Sequence, residues 1–416
     1  MTTARRRLGQ GDLDLFVTSH QRFVEGRAGG RRLALKFMDL NGLVLSGKIL
    51  DDADFTGSSL EGAKLDGARM ERAILFGCDL RGADLTRANL RRADIRGACL
   101  QGADLTQADL TQADFREGVI AIPHATKGLS EIKHETRLGL ADGATFAGAN
   151  LDGSRFDGVS AHRADFTDCT LRGARLTGAN FKDADLSGAM LEGADVGGTN
   201  FAGARLIGAD LSGVVMEGAR LDRTDLSGAL RAPTAEALAR ADELYQMALD
   251  ANAWAESGGV MGAPAKFDNE DLRPLAARFE GLSMPALSAR GACMVGMNLR
   301  GAALQGAQLE GADLRGGDLH GADLRGARLN NALLNQTDLS GARLGPLPLG
   351  GGRSMPSSLT GARLRYARMA GADLTGANMD GCDLTGALLT DAVMIDVSLQ
   401  NARLDHAAGL TASLAA

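Results

Sequence analysis

At 416 residues the chain could hold two or three ordinary domains, yet it carries 56 glycines, two tyrosines and one tryptophan, too few large rings for an ordinary globular core. A net charge of −7, from 45 basic and 52 acidic residues, leaves neither a nucleic-acid-binding nor a polyacidic character dominant, so a partner has to be argued from local charge. No apolar run approaches the ~18 residues of a membrane span, and Arg5, Arg6 and Arg7 lead into Leu8-Gly9-Gln10-Gly11 instead of a signal core, which makes the cytoplasm the expected compartment.

Residues 1–34 come first. Leu13, Phe16, Val17, His20 and Val24 fall on one helical stripe, with Asp12 placed to cap its start and Gly26 to end it. His20 belongs to the packed face, and the segment is expected to be a helical cap.

From 35 to 115 a different rule takes over. Residues 82–115 read GADLTRANLRRADIRGACLQGADLTQADLTQADF, and a large apolar residue returns every fifth position from Leu40 to Phe115, Leu85 and Leu105 among them. On an α-helix a step of five rotates the side chain by about 140° and spreads it over every face. In a continuous strand an odd step alternates faces. The spacing is satisfied only if the chain turns after each unit, with alanine and leucine inward, Asp or Asn outward between them, and a polar-Gly pair at the corner. Repeated corners of one hand stack parallel strands about 4.8 Å apart. Cys78, and later Cys169 and Cys382, take the inward alanine slot as small core residues.

Residues 116–145 break the pattern with Pro123, His124 and His134 in a mixed polar stretch, expected to be a protruding loop or a kinked junction. The repeat resumes over 146–230, shifted by one, with Phe166, Leu186 and Phe201 inward. Residues 231–286 form a helical linker or cap: 234–257 has no period of five, begins after Pro233 with Glu236 in its first turn, and stops at Gly258-Gly259. It echoes the first helix, each being followed by a Lys-Phe pair (Lys36-Phe37, Lys266-Phe267), so a cap-plus-rod module is expected twice, with Trp254 as a capping anchor. The third array, 287–405, places Leu314 and Leu374 inward and keeps its frame across 345–358, where Pro346, Pro348 and Arg353 lie in an extruded loop. The tail 406–416 lacks a strong apolar stripe, so the last coil is expected to be uncapped and open to pairing with a second copy.

These A(D/N)LXX units resemble the pentapeptide-repeat family. The resemblance implies an all-β fold, a right-handed quadrilateral β-helix of four units per coil, here with short α-helical caps. Phe146 and Phe166, like Phe181 and Phe201, are 20 apart and would stack in such a coil, whereas Phe166 and Phe181 would suit a coil of 15. Some members of the family are similar to B-DNA in size and charge and bind type II topoisomerases, gyrase or topoisomerase IV.

Chemistry is not legible. The five cysteines include no CxxC pair, the six histidines form no HExxH or triad spacing, and Gly345 to Gly350 mimics a phosphate loop only until Gly351 stands where lysine is required. No catalytic, metal or cofactor residue is assigned, and no direct nucleic-acid contact is expected. Charge is uneven: residues 141–230 hold 8 basic and 13 acidic residues, with Asp165, Asp185 and Asp225 in one expected column that Arg205 interrupts, while 291–416 hold 10 and 11. The expectation is a non-catalytic protein-interaction scaffold whose partner contacts involve that column and the loop residues His124, His134, Pro346, Pro348 and Arg353; the alternative is a DNA-mimicking modulator of a type II topoisomerase.

Overall fold

Leu60-Glu61-Gly62-Ala63 shows how the unit turns. Ala63 N–H donates to the Leu60 carbonyl (3.0 Å) while Gly62 takes φ 62°, the left-handed third position of a type II turn. Leu60 and Ala63 both end fully buried. The outward Asp or Asn has a structural task at the same corner, because its carboxyl or amide oxygen accepts the N–H two residues later: Asp84 from Thr86, Asn89 from Arg91, Asp165 from Thr167. The five-residue consensus is therefore one strand position, its side-chain cap and one corner.

The computed structural model describes residues 5–124 and 128–410, which form two compact units, Met1–Ala232 and Pro233–Ala416. In the first, parallel rungs link residues 20 apart, as in Lys64 to Asp84 and Asp84 to Asp104, so four units close one coil of a right-handed quadrilateral β-helix. The phenylalanines follow that geometry. Phe146 stacks on Phe166 (centroids 4.5 Å, 10°) and Phe181 on Phe201 (5.7 Å, 23°), whereas Phe166 meets Phe181 edge-on (64°) from a neighbouring side. The coil of 15 is excluded.

Residues 116–145 do not break the rod. Cys99 pairs with Leu140, 41 residues on, and Asp104 with Thr145, also 41, where the neighbouring rungs span 20. The excess of 21 residues is one more than a multiple of five, which is why the frame shifts by one in sequence while the coil continues in space. Phe115 stacks on Phe156 across the insertion (4.2 Å), and one apolar cluster runs from Leu8 to Leu211. The arrays read as 35–115 and 146–230 are thus a single solenoid. Most of the insertion is an antiparallel hairpin, β3 (Gly118–His124) with β4 (Gly128–Arg137); two shorter strands precede it, β1 (Arg6–Arg7) and β2 (Met38–Asp39), paired in parallel.

The second solenoid starts earlier than its periodicity showed. Lys266 already pairs with Ser288 and Asp271 with Cys293, rungs of 22, before the spacing settles at 20 from Ser283 to Ala303. A 3-10 turn, Arg273–Leu275, lies where those rungs carry two extra residues, and this hid the first coil inside the presumed linker 231–286. The Lys-Phe echo is not structural either: Phe267 is an inward core residue, fully buried, whereas Phe37 sits half-buried on a corner with φ 53°. Arg328 to Ser358 is a rung of 30, so the second insertion adds ten residues and leaves the frame intact; it holds the hairpin β5 (Leu347–Gly350) and β6 (Arg353–Met355).

Each unit begins with a helix over its first coil. In α1 (Gln10–Val24) Leu13, Val17 and His20 are buried, but Phe16 is 48 % exposed. Its N-cap is Gly9, not Asp12, which lies inside the first turn. Helix α2 (Ala235–Glu256) is capped by Thr234, whose side chain accepts from Ala237 N–H (3.1 Å), and buries Leu244, Ala248 and Ala251. Trp254 is only half-buried and stands outside the core cluster, against the backbone of Gly259; the anchoring expected of it falls to Leu244, with Tyr245 and Met247 beside it. At the far end of the second unit the last coil is partly open, with Val393 and Ile395 exposed. Residues 411–416 of the tail lie outside the described residues.

Candidate partner-binding surfaces

Both hairpins leave the coil at the same kind of corner, one residue past a central apolar residue, Phe115 or Leu344, and fold back over earlier coils. What receives them is a column of corner glycines. Ile120, 2 % exposed, lies over Gly57 and Gly77; a Cβ on Gly77 would stand 2.7 Å from its Cδ1. Arg137 Nη1 donates to the Gly77 carbonyl (2.6 Å), and Gly118 rests against the Phe76 ring. In the second unit Leu347 and Met355 lie over Gly326, where a Cβ would stand 2.8 Å and 2.9 Å from Leu347 Cβ and Met355 Cε. Glycine at these corners serves close approach as well as φ.

The docked roots leave other residues outward. On β4, His134 is exposed opposite Ala121. The side chain of His124 lies outside the described residues. On the second hairpin Pro348 and Arg353 are exposed with Leu349 (52 %), while Pro346 is half-buried at the root. Val119 (57 %) and Leu138 (55 %) are exposed apolar residues at the first hairpin that no periodicity marked; the β-branched Val119, Ile120 and Ile122 in the segment that shifts the frame were the available strand signal.

Asp165, Asp185 and Asp225 do share a column, since Thr145, Asp165, Asp185, Arg205 and Asp225 are successive rungs, and it continues back through Asp104 and Asp84 to Lys64. It is not a free acidic strip. Arg205 Nη1 lies 3.1 Å from Asp185 Oδ2, and all three carboxylates cap corners, Asp225 held below the usual carboxylate range by the Ser227 hydroxyl and N–H. Elsewhere an Asp-x-Arg pattern pairs charge within one unit, as in Asp79–Arg81 (2.6 Å), Asp94–Arg96 (2.7 Å) and Asp313–Arg315 (2.7 Å). Within the first unit the column, with Asp84 and Asp104, and the corners under the hairpin, Gly57 and Gly77, lie on different sides, so its acidic residues and its hairpin do not converge on one site.

A cleft at the root of the first hairpin is lined by Arg96, Arg116, Glu117, Asp157 and Gly158. Arg116 pairs with Asp114 (2.7 Å), Arg96 with Asp94 (2.7 Å) and Asp157 with Arg175 (3.0 Å). No group of His, Cys, Asp and Glu suited to hold a metal ion occurs among the described residues. Cys78 and Cys382 donate to the carbonyls of Phe55 and Leu359 (3.0 Å each), and burial pushes both thiols up to about 12, far from a reactive thiolate.

Two units, each a stack of four-sided coils with a helical lid, define the chain as a repeat solenoid protein. The family model for pentapeptide repeats (8 copies) matches residues 39–72, 73–112, 142–178, 164–202, 199–230, 288–321, 318–345, 357–391 and 376–407, and the chain belongs to the pentapeptide-repeat family. Among solved structures, it is similar to a pentapeptide repeat protein of the Arabidopsis thaliana thylakoid lumen, at 27 % identity over 27 % of this chain and 69 % of that one, with a TM-score of 0.20. It is similar also to a trypsin-treated form of QnrB1, a plasmid-mediated fluoroquinolone resistance protein (21 %, 51 % and 92 %, 0.24), and to HetL of the cyanobacterium Nostoc sp. strain PCC 7120, which is involved in heterocyst differentiation regulation (19 %, 93 % and 93 %, 0.16). No curated protein matches. Among the described residues no helix is long and apolar enough to cross a membrane.

Proposed function

We propose that the chain is a non-catalytic protein-docking scaffold, each solenoid holding one hairpin rigidly against its side for a protein partner. The observation that carries this reading is that both insertions contain hairpins whose roots are seated on glycine corners while the coil beneath keeps its 20-residue step. An element held this way presents a fixed shape, which is how a rigid scaffold gains specificity from its loops. His134, Pro348 and Arg353 are the proposed contacts, with His124 and Pro346 beside them. Affinity capture from the native cell tests the idea: partners should be lost on excising 117–137 or 346–355, and retention after both excisions would move the binding surface to the coil.

The topoisomerase reading has one foothold, the adjacent rungs of Asp165 and Asp185. Duplex DNA carries a charge about every 1.7 Å of axis, so mimicry needs several unbroken acidic columns at a coil rise of about 4.8 Å. Arg205, paired with Asp185, interrupts this one, which favours docking. If the chain nonetheless modulates gyrase or topoisomerase IV, changing Asp165, Asp185 and Asp225 to asparagine should weaken its effect on supercoiling. Pairing of two copies through the partly open last coil remains a proposal that light scattering tests, a monomer at high concentration counting against it.

A further inference from the structure

His20 is fully buried on the coil-facing side of α1, and its ring bonds the helix to the coil. Its Nδ1 accepts the Leu33 N–H (3.0 Å), which places the ring proton on Nε2, and Nε2 is turned toward the Asp51 backbone without a close hydrogen bond. The ring stacks on Phe23 (5.9 Å, 19°) and is buried with Leu13 and Val17 on the same helix face. Leu33 opens the first coil, its own carbonyl receiving Asp54 N–H (3.0 Å). The imidazole is thus a hinge pin between lid and coil, joined by Arg31 N–H to the Ser19 carbonyl (3.1 Å) and by Gln10 at the other end of the helix.

We propose that His20 is an acid-released latch for the N-terminal lid: protonation of Nδ1 removes the acceptor of the Leu33 amide, sets two N–H groups facing each other, and puts a charge in the apolar seam, so that α1 lifts from the first coil. Released, it uncovers Leu33 and Leu35 and the strand edge at Val44, a surface that neutral pH keeps closed.

The surrounding charges do not offset a buried imidazolium. Asp51, with its backbone as well as its carboxylate, Asp52 and Arg32 face the ring, and both parts of Asp51 favour the charged form without outweighing burial. Asp51 is already engaged by Arg69 Nη2 (2.5 Å) and Glu71 N–H (3.1 Å), and Asp52 by two nitrogens of Arg72 (2.9 and 2.8 Å). Arg32, of the same sign as the imidazolium, donates to the Asp52 carbonyl (2.6 Å). Burial, above all, lowers the pKa of His20 below its ordinary value. The sign follows from that. The released lid binds a proton near pH 6.5 and the latched lid only lower, so the latch is at full strength above about pH 6.5 and is weakened progressively as pH falls through that window. Helix α2 has no histidine and fastens its coil through Asn252, whose Oδ1 accepts Ser283 N–H (2.9 Å), so it is the internal control.

Amide hydrogen exchange on the full chain, corrected for intrinsic rates, from about pH 7.5 to about pH 5 tests the latch. Protection of 10–24 and of the Leu33 amide should fall steadily across that range while α2 stays protected. In His20→Asn the side-chain oxygen can still accept from Leu33 and cannot titrate, so protection of α1 should become independent of pH. Loss of protection in step with the native chain would overturn the proposal. Should the variant not fold, NMR titration of the native imidazole reads the same coupling: its midpoint should coincide with loss of α1 protection, and a ring that titrates while α1 stays protected overturns the latch.

Discussion

Gln10 and Val44 exchange a pair of hydrogen bonds, Nε2 to the Val44 carbonyl and Val44 N–H to Oε1, both 2.9 Å. The side-chain amide takes the place a neighbouring strand would occupy on the exposed edge of the first coil. It blocks the template that an open edge presents to another chain. Replacing Gln10 with alanine should lower stability by about 1 kcal/mol, two exposed hydrogen bonds at the low end of about 0.5–1.5 each. Thermal unfolding and the exchange rate of the Val44 amide measure it, and the amide should exchange faster even where the melting temperature moves little.

Corner residues are coupled along the stack. Tyr366 has φ 57°, and its ring lies over Gly386 in the next coil, where a Cβ would stand 2.5 Å from Tyr366 Cε1. Gly371 has φ 64° and nothing within 4 Å of a Cβ. Both glycines changed to alanine should cost the ~1–2 kcal/mol of a left-handed non-glycine residue, but Gly386→Ala should cost about 1–3 kcal/mol more for the steric conflict. Adding Tyr366→Gly should recover that extra part, a coupling that a double-mutant cycle by denaturant unfolding would read.

Acid should loosen the corners through their carboxylates. Burial acts to raise the pKa of Asp79, but the hydrogen bonds from Arg81 outweigh it and hold the group below its ordinary value; Asp114 with Arg116 and Asp323 with Arg325 behave alike. A depressed carboxylate contributes stability that is present above the unfolded value of about 3.9 and is lost as pH falls through the folded one. The stability difference between the native chain and Asp79→Asn should therefore be widest near neutrality and close below about pH 4, measured by circular dichroism in denaturant at each pH.

Inward and outward slots should differ sharply in tolerance. Leu186 is fully buried and Lys182 is an exposed corner residue of the preceding unit. Leu186→Asp forces a carboxylate into the apolar column and should prevent folding of the first unit, whereas Lys182→Asp should change stability by under about 0.5 kcal/mol. Expression and cooperative melting distinguish them.

The coil was legible because one side-chain rule repeats: Leu85, Leu105, Phe166, Leu186, Phe201, Leu314 and Leu374 all lie inward as the spacing required. Where the signal is a count, the sequence misled, since an insertion of 21 residues and a true break look the same until Cys99 is found beside Leu140. The two extra residues before Ser283 hid a whole coil for the same reason. The first lid was visible as a helical stripe and the second as a run without the period of five between Pro233 and Gly258, but their fastenings were not. Gln10 and Asn252 are ordinary polar residues in sequence, and only the position of an open strand edge gives them a role. The candidate site was the least legible part, because hairpin docking depends on which corner glycines align across coils, as Gly57 and Gly77 do beneath Ile120.

The coil running unbroken beneath the hairpins is the claim on which the rest stands. Excising 117–137 together with Leu138→Gly joins Arg116 to a glycine corner and restores the 20-residue step from Cys99 onward. Hydrogen exchange across residues 79–211 measures the result directly. A continuous solenoid should keep its amides protected on both sides of the junction and unfold in one cooperative step; loss of protection from Leu140 onward, with the earlier coils intact, would show that the hairpin joins two separate stacks.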